Sequence, residues 1–228
     1  MSLERMDAEC RFEHLSPAEL SSRLDEKAIL YLPTGALEWH NEHLPLGTDT
    51  FNAIELSSRL CRSIGGVVLP AFWWNTGGCH DHASTYHMPE EDYRPTLKII
   101  CSGLRPIPAR LLVFVNAHGG TYQLESPAIV AQELNAAGFP MRVVAADPYR
   151  LITPSRCNID HADTMETSFC MELIPQLVRM EREIGPDIHS DKMPFAAGDP
   201  TREGGEERWQ AYFSDARELI EKEYSATE

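Results

Sequence analysis

The stretch Ala28-Ile-Leu-Tyr-Leu-Pro-Thr-Gly-Ala-Leu-Glu-Trp-His-Asn-Glu-His-Leu-Pro-Leu-Gly-Thr-Asp49 joins an apolar run to a cluster of polar side chains. The run at 28–32 has the length and composition of a buried strand. The Pro33-Thr34-Gly35 break predicts that this strand ends there, which leaves Glu38 and His40 in the loop at its carboxyl end. Open α/β sheets place their functional sites at that edge.

Glu38, His40 and Asp49 are candidate ligands for a divalent metal. Residues two apart in extended backbone point the same way, so the Glu38 carboxylate and the His40 imidazole are aimed together. The turn from Pro45 to Thr48 is then expected to place Asp49 near these two side chains. Carboxylate and imidazole are common ligands of zinc and related cations. The alternative is that Glu38 and His40 are ordinary polar loop residues and that Asp49 caps a helix beginning near Thr50.

Composition limits the classes of function. The 228 residues contain no linker-like segment, which predicts a single domain over 1–228. Twenty basic residues against 35 acidic ones give a net charge of −15, which argues against nucleic acid and anionic membranes as partners. No apolar run approaches the roughly 18 residues that span a bilayer, and residues 1–10 are too acidic for a signal peptide, so we expect a cytoplasmic protein. Six scattered cysteines lack a Cys-x-x-Cys pair and are expected to be reduced.

Strand and helix patterns alternate along the chain. Strands are predicted at 28–32, 67–70, 110–116 and 141–146, and helices at 16–26, 53–64, 92–105, 121–137, from about 160, and around 209–220. The segment from Glu183 to Gly204 is predicted to be a loop. This alternation predicts an α/β fold with a mostly parallel central sheet that is covered by helices on both faces.

A second polar cluster comes from two later segments. His118 directly follows the clearest strand, so we expect the carboxyl ends of the strands at 28–32 and 110–116 to lie side by side. Further on, His161 and Glu166 lie where a helix opens. The alternative for that helix is that Asp163 or Thr164 caps it and that Glu166 is a first-turn carboxylate favoured by the helix dipole.

The loop from Phe72 to His87 has no regular period and is rich in aromatic residues and histidines. We predict that Trp73, Trp74, His80 and His82 contact the substrate. The spacing of His80 and His82 also suits a metal pair, and simple exposure is a further alternative. The aromatic stripe from Trp209 to Phe213 in the last helix predicts core packing or a subunit contact.

Several motifs together resemble the creatininase (creatinine amidohydrolase) family. They are Pro33-Thr-Gly-Ala-Leu-Glu-Trp-His40, His43-Leu-Pro-Leu-Gly-Thr-Asp49, Asn116-Ala-His-Gly-Gly120, His161 through Glu166-Thr-Ser168, and Thr201-Arg-Glu-Gly-Gly205. The resemblance covers nearly the whole chain. It implies a three-layer αβα sandwich, a two-metal hydrolytic site and a homo-oligomer, a hexamer in this family.

The resemblance also implies a set of ligands. Glu38 and His118 would hold one metal, His40 the other, and Asp49 would bridge them. Creatininase itself has a glutamate ligand two residues after the histidine that matches His118, and this chain has glycine there, so Glu166 is the best candidate for the fifth ligand. Two divalent cations, zinc first with manganese or iron as alternatives, would leave about one positive charge against the three carboxylates, which favours a bound hydroxide near neutral pH. Without metal, we expect the carboxylates to raise one another's pKa values.

The implied reaction is hydrolysis of an amide or cyclic amide C–N bond in a small molecule by a metal-bridged hydroxide. His161 would shuttle a proton to the leaving nitrogen, and Glu166 would complete the catalytic site. Creatininase frames its substrate ring with two tryptophans, whereas Asp147 or Pro148 and Cys157 stand at the matching positions, so we expect a substrate other than creatinine. The alternatives are a hydrolase of the same fold that acts on a C–C or C–O bond of a cyclitol or sugar, and a non-catalytic binding protein stapled by metal.

Overall fold

A computed structural model describes residues 10–151, 160–188 and 192–227 of the chain. The strands among them are β1 (Ile29–Thr34), β2 (Val67–Val68), β3 (Leu111–Asn116) and β4 (Arg142–Ala145). The α-helices are α1 (Pro17–Glu26), α2 (Thr48–Ile64), α3 (Glu90–Gly103), α4 (Thr121–Ala136), α5 (Pro148–Leu151), α6 (Thr164–Leu173) and α7 (Arg202–Ser225). Short 3₁₀ turns lie at Phe12–His14 and Pro175–Leu177.

The four strands form one sheet in the order β2-β1-β3-β4, and every pairing is parallel. β1 and β3 pair along their whole length, from Ile29 opposite Leu111 to Thr34 opposite Asn116. Their carboxyl ends therefore lie side by side, which confirms the prediction made from their histidine-bearing loops.

Alternate residues of the central strands face two separate apolar clusters. Ile29 and Tyr31 of β1 pack in the cluster that includes helices α2, α6 and α7. Leu30 and Leu32 pack in the other cluster, which includes α1, α3 and α4. A sheet with helices on both faces is a three-layer αβα sandwich, so the predicted fold class is confirmed.

The observed strand boundaries differ from the predicted ones by one residue at several ends and by two residues at two of them, the carboxyl ends of β1 and β2. β1 continues through Pro33 to Thr34, because the Pro33 carbonyl accepts a hydrogen bond from the Phe72 N–H (2.8 Å) and Pro33 pairs with Val115. β2 is limited to Val67–Val68 rather than extending over 67–70. The loop that carries Glu38 and His40 consequently begins at the carboxyl edge of the sheet.

Helix α7 begins inside the segment that was predicted to be a loop. The Thr201 side chain accepts a hydrogen bond from the Gly204 N–H and caps the helix. Gly205 packs directly on the Ser168 carbonyl of α6, where a Cβ atom would overlap it. The two glycines therefore allow close helix packing here, although their sequence pattern is typical of a loop.

The aromatic stripe of α7 packs in the core. Trp209 is 8% exposed and Tyr212 is fully buried, with its hydroxyl donating to the Ala146 carbonyl (2.7 Å). Core packing, one of the two interpretations of this stripe, is confirmed. These two residues offer no apolar surface for a subunit contact.

None of the helices in the described part of the chain is long and apolar enough to cross a membrane. Residues 1–9, which carry most of the argument against a signal peptide, lie outside the described residues, and so does Cys157. The cytoplasmic location and the single domain over 1–228 stay predictions.

Candidate metal centre

Five side chains from four segments meet at the carboxyl edge of the sheet. The β1–α2 loop supplies two of them, α2 and α6 supply one each from their first turns, and the loop after β3 supplies the fifth. They are Glu38, His40, Asp49, Glu166 and His118, each at most 4% exposed. These are the five residues predicted as metal ligands, and the fold brings all of them together.

The Asp49 carboxylate lies between the two histidines. Its Oδ2 is 2.7 Å from His118 Nδ1, and its Oδ1 is 3.2 Å from His40 Nε2. One oxygen thus faces each imidazole, as a bridging carboxylate requires. The alternative that Asp49 caps α2 is wrong, because the helix has Gly47 as its N-cap residue and Asp49 lies in the first turn.

Each histidine lies closest to a different glutamate, although Glu38 Oε1 is also 3.9 Å from His40 Nε2. His118 Nδ1 lies 3.1 Å from Glu38 Oε1, and His40 Nε2 lies 3.5 Å from Glu166 Oε2. Oxygen and nitrogen ligands about 2.0–2.2 Å from a single ion lie roughly 3–3.5 Å from each other. The five residues therefore form two sets, each with a histidine and a glutamate, that share Asp49.

The orientation of His40 suits a metal ligand. Its Nδ1 lies 3.1 Å from the Glu38 carbonyl oxygen, a contact in which Nδ1 can only be the donor. The Nε2 atom is buried and makes no hydrogen bond of normal geometry to any described residue. A nitrogen that faces two carboxylate oxygens in this way needs a cation or a proton between them.

The pKa values of the two histidines also indicate that the cluster favours a positive charge at this place. Burial alone would lower the pKa of His118, but the carboxylates of Glu38 and Asp49 raise it to about 10. Burial likewise acts to lower the pKa of His40, while Glu166 and Asp49 raise it well above its usual value. Bound divalent cations would supply the charge that these protons otherwise provide.

The expected rise in the carboxylate pKa values is wrong for two of the three acids. Burial favours a higher pKa for Glu38 and Asp49, but the neighbouring imidazolium charges lower the pKa of both below its usual value. The physical reason is that the histidines lie between the carboxylates, so attraction exceeds the mutual repulsion of the acids.

Glu166 is directed at the cluster by two hydrogen bonds. Its Oε2 accepts from the Ala162 N–H (2.7 Å), and its Oε1 accepts from the Tyr149 hydroxyl (3.3 Å). Ala162 has a positive φ of 49°, which turns its N–H toward the carboxylate.

Two other acidic residues accept the hydrogen bonds of the free N–H groups at the amino-terminal end of α6. Asp163 accepts from the Thr164 N–H (2.7 Å), and Asp160 accepts from the N–H groups of Met165 (2.7 Å) and Glu166 (2.9 Å). Asp163 is thus the helix cap that the sequence suggested. Because Asp160 and Asp163 already meet the free donors of the helix end, Glu166 is not needed there as a capping group.

His161 lies beside the centre without entering the five-residue set. Its ring packs on His40 at a centroid distance of 4.6 Å, and its Nε2 is 3.8 Å from Glu38 Oε1. Its Nδ1 is 3.3 Å from Asp187 Oδ2. A partly exposed imidazole that is held at Nδ1 and faces the cluster with Nε2 is suited to proton transfer.

A cavity of about 180 Å³ opens onto the cluster. Four of the five candidate ligands line it, together with Gly78, Cys79, Gly119, Gly120, Tyr149, Asp160 and His161. At Gly120, the position where creatininase itself has a glutamate, a Cβ atom would crowd the His118 ring at Nε2. A side chain therefore cannot be added at this position unless His118 moves.

Trp73, Trp74, His80 and His82 lie outside the described lining of this cavity. Trp73 packs edge-to-face on Phe51, and Trp74 is 46% exposed and stacks on Tyr86. His80 is exposed at the surface, and His82 packs its ring on Trp39. Substrate contact by these four residues stays a prediction.

Three residues of the site were missed in the sequence. Tyr149 and Asp187 come from segments without a recognisable pattern, and Cys79 was interpreted only as one of six scattered cysteines. A signal for Cys79 did exist, since it stands between two glycines and a histidine.

Substitution of Gly78 tests how closely the loop that carries Cys79 packs on Glu38. The φ of Gly78 is +71°, and a Cβ atom at this position would overlap Glu38 Oε2. Gly77 has a similar φ of +77° but no atom closer than 4.0 Å to such a Cβ. We expect Gly78→Ala and Gly77→Ala to lose comparable stability, roughly 1 kcal/mol or more, from backbone strain. Only Gly78→Ala should lose bound metal, measured per chain by elemental analysis; equal metal content in both variants would contradict the close fit.

Comparison with known proteins identifies relatives that match most of the chain. A family model described as Creatininase, creatinine amidohydrolase, matches residues 13–218. The chain is 25% identical over 177 residues to the creatinine amidohydrolase of Pseudomonas putida, which covers 68% of each chain. It is 21% identical over 200 residues to the 3-dehydro-scyllo-inosose hydrolase of Thermotoga maritima, which covers 79% of this chain and 64% of that one. The mycofactocin precursor peptide peptidase of Mycobacterium tuberculosis is 29% identical over 168 residues, or 67% of this chain and 61% of that one.

Solved structures agree with this result at the level of the fold. The crystal structure of creatinine amidohydrolase matches with a TM-score of 0.74 at 22% identity, covering 94% of this chain and 98% of that one. Two further creatininase structures with the same TM-score of 0.74 are described as the Zn-Zn type of a variant and as the Mn form. The matched region spans between 61% and 68% of the length of the three relatives compared by sequence.

Proposed function

This chain belongs to the creatininase family of hydrolases, and from that premise we propose that it is a metal-dependent amidohydrolase that cleaves an amide or cyclic amide C–N bond. The observation that carries the proposal is the position of Asp49, with one carboxylate oxygen facing each of two histidines. Each of those histidines also faces a glutamate, so the residues present fit a pair of divalent cations.

The two sets of residues would divide the cations between them. Glu38, His118 and Asp49 Oδ2 would hold one, and His40, Glu166 and Asp49 Oδ1 the other. Nitrogen and carboxylate ligands without a cysteine suit zinc, manganese or iron. We propose zinc as the cation that is bound. When bound, such a pair polarises a substrate carbonyl and lowers the pKa of water.

The protein's own acid in this scheme is His161. Its Nε2 faces the cluster and can deliver a proton to the leaving nitrogen, while Asp187 holds the other ring nitrogen. The Tyr149 hydroxyl and the Ala162 N–H keep the Glu166 carboxylate turned toward His40. A proton donor beside the candidate ligands argues against the non-catalytic alternative.

The substrate should be small and different from creatinine. A cavity of about 180 Å³ admits a small molecule. Asp147, which with Pro148 is one of two candidates for the position of a creatininase tryptophan, is fully buried and accepts a hydrogen bond from the Asn116 N–H (2.9 Å). It is therefore unable to frame a substrate ring.

A second candidate is hydrolysis of a cyclitol derivative. It is favoured by the similarity to 3-dehydro-scyllo-inosose hydrolase.

The test of both candidates is a panel of cyclic amides, formamides, short peptides and cyclitol derivatives, assayed with protein purified without chelator. We expect amide hydrolysis that is lost on chelation and restored by zinc or manganese. Turnover of cyclitol derivatives alone would favour the second candidate, and bound metal without any turnover would overturn both.

We also propose a closed homo-oligomer, hexameric by family resemblance. Trp209 and Tyr212 of α7 are buried and give no support to this assembly, so the proposal rests on the family resemblance. Light scattering at micromolar concentration should give about six times the chain mass of 25.7 kDa. A monomeric mass would refute the proposal.

A further inference from the structure

Cys79 lies next to Glu38, one of the five candidate ligands, which would be shared with a second group of metal-binding side chains. The thiol is buried, and its Sγ is 3.4 Å from His161 Nε2, which in turn is 3.8 Å from Glu38 Oε1. One potential ligand atom from each of these three residues lies within 4.8 Å of the other two. The three residues therefore form a second group of metal-binding side chains, which we call the outer cluster.

The spacing of the outer cluster suits a single tetrahedral ion. Zinc lies about 2.3 Å from a cysteine sulfur and about 2.0–2.1 Å from a histidine nitrogen. Tetrahedral angles then place the sulfur roughly 3.6 Å from the nitrogen, and the nitrogen roughly 3.4 Å from a carboxylate oxygen. The observed separations of 3.4 and 3.8 Å differ from these values by only a few tenths of an ångström.

The loop that carries Cys79 is held in place. The Cys79 N–H donates to Glu38 Oε2 (2.8 Å), and Gly78 lies so close to the same carboxylate that no Cβ atom fits there. His161 is held from its other side by Asp187 Oδ2, 3.3 Å from Nδ1. Little rearrangement is therefore needed to gather the three ligands around an ion.

The ligand chemistry of the outer cluster differs from that of the inner five residues. The inner set offers only imidazole nitrogen and carboxylate oxygen, whereas the outer cluster adds a sulfur. Thiolate ligands select thiophilic cations such as zinc over magnesium, calcium or manganese. Burial, followed by the charge of Glu38, raises the pKa of the Cys79 thiol to about 12. A cation that binds there forms a metal–sulfur bond and releases the thiol proton to solvent.

We propose that the outer cluster is a third metal position, taken by a thiophilic divalent cation and inhibitory when occupied. Occupation uses the Nε2 lone pair of His161, so this imidazole can no longer transfer a proton. The inference goes beyond the proposed function, because none of the inner metals needs Cys79. An excess of zinc would thus inhibit an enzyme that needs zinc.

The test uses cadmium, a thiophilic probe, on protein whose inner sites are already filled with zinc. We expect one cadmium per chain to be retained after gel filtration with both zinc ions still present. A near-ultraviolet charge-transfer absorption from thiolate to cadmium should appear, and activity should be lost in proportion to it. Elemental analysis, absorption spectra and activity are measured on the same samples.

Cys79→Ser removes the sulfur while keeping a side chain of similar size. This variant should keep its two zinc ions and lose both the charge-transfer band and the inhibition by cadmium. Cys101→Ser is the matched control, since Cys101 is equally buried but lies in helix α3. It should retain the band and the inhibition.

Two results would overturn the inference. One is an unchanged cadmium band in Cys79→Ser, which would place the cation elsewhere. The other is loss of a zinc ion from Cys79→Ser, which would make Cys79 a ligand of the catalytic pair. Failure of the proposed function is distinguishable, because it would appear as absence of zinc or of turnover in the wild-type protein before cadmium is added.

Discussion

Glu166→Gln is expected to release or weaken one of the two metals and to lower hydrolysis by several orders of magnitude. Glutamine keeps the size of the side chain and one oxygen that can accept from the Ala162 N–H, but it removes the charge that faces His40 at 3.5 Å. If Glu166 were only a first-turn carboxylate, the change would alter the free energy of unfolding by roughly 0.3–1 kcal/mol and leave the metal content unchanged. Elemental analysis per chain, together with kcat, separates the two cases.

Glu172→Gln is the matched control for this experiment. Glu172 lies in the same helix and is also buried, but it pairs with Arg59 (2.9 Å) and Arg202 (2.9 Å) rather than with a histidine. The control should lose stability and keep both metals. Full metal occupancy and near-normal turnover in Glu166→Gln would remove Glu166 from the ligand set and leave the second metal without its glutamate.

His161→Ala is expected to lower turnover by about 10²–10⁴ while both metals stay bound. The reason is that His161 faces the cluster at 3.8 Å from Glu38 but belongs to neither of the two sets of candidate ligands. The measurements are kcat, KM and metal content on the same preparation. The loss should fall on kcat, since proton transfer belongs to the chemical step.

His82→Ala provides a control for lost packing. Both histidines pack on Trp39, with ring centroids 5.5 Å away for His82 and 5.8 Å for His161. The two variants therefore lose a similar contact with Trp39, but only His161 also packs on His40 and reaches the cluster. The comparison is made on kcat, because a substrate contact of His82 would change KM. Loss of a metal from His161→Ala, or turnover as high as that of His82→Ala, would contradict the role as proton donor.

The sheet and the ligand set could be predicted because their signals are local. Apolar runs such as 110–116 identify buried strands, and a parallel sheet places every loop that follows a strand at one edge. That rule alone brings Glu38, His40 and His118 together. Glu166 required the resemblance to a known family, because a first-turn carboxylate of a helix has an equally good explanation as a group favoured by the dipole.

The remaining features depend on contacts between distant segments. Cys79 and Asp187 meet at His161 only through tertiary structure, and neither has a local pattern that specifies this meeting. The paired glycines at 204–205 have a loop-like pattern, but they lie inside a helix, where close packing on the Ser168 carbonyl requires Gly205. Tertiary packing overrides local preference at such positions.

The most direct test of the two-metal centre is the anomalous scattering of crystals grown from protein purified without chelator and supplied with two equivalents of zinc. We expect two zinc peaks, one on each side of the Asp49 carboxylate, with Glu38 and His118 beside the first and His40 and Glu166 beside the second. A single peak, or a peak that lies only between Cys79 and His161, would contradict it.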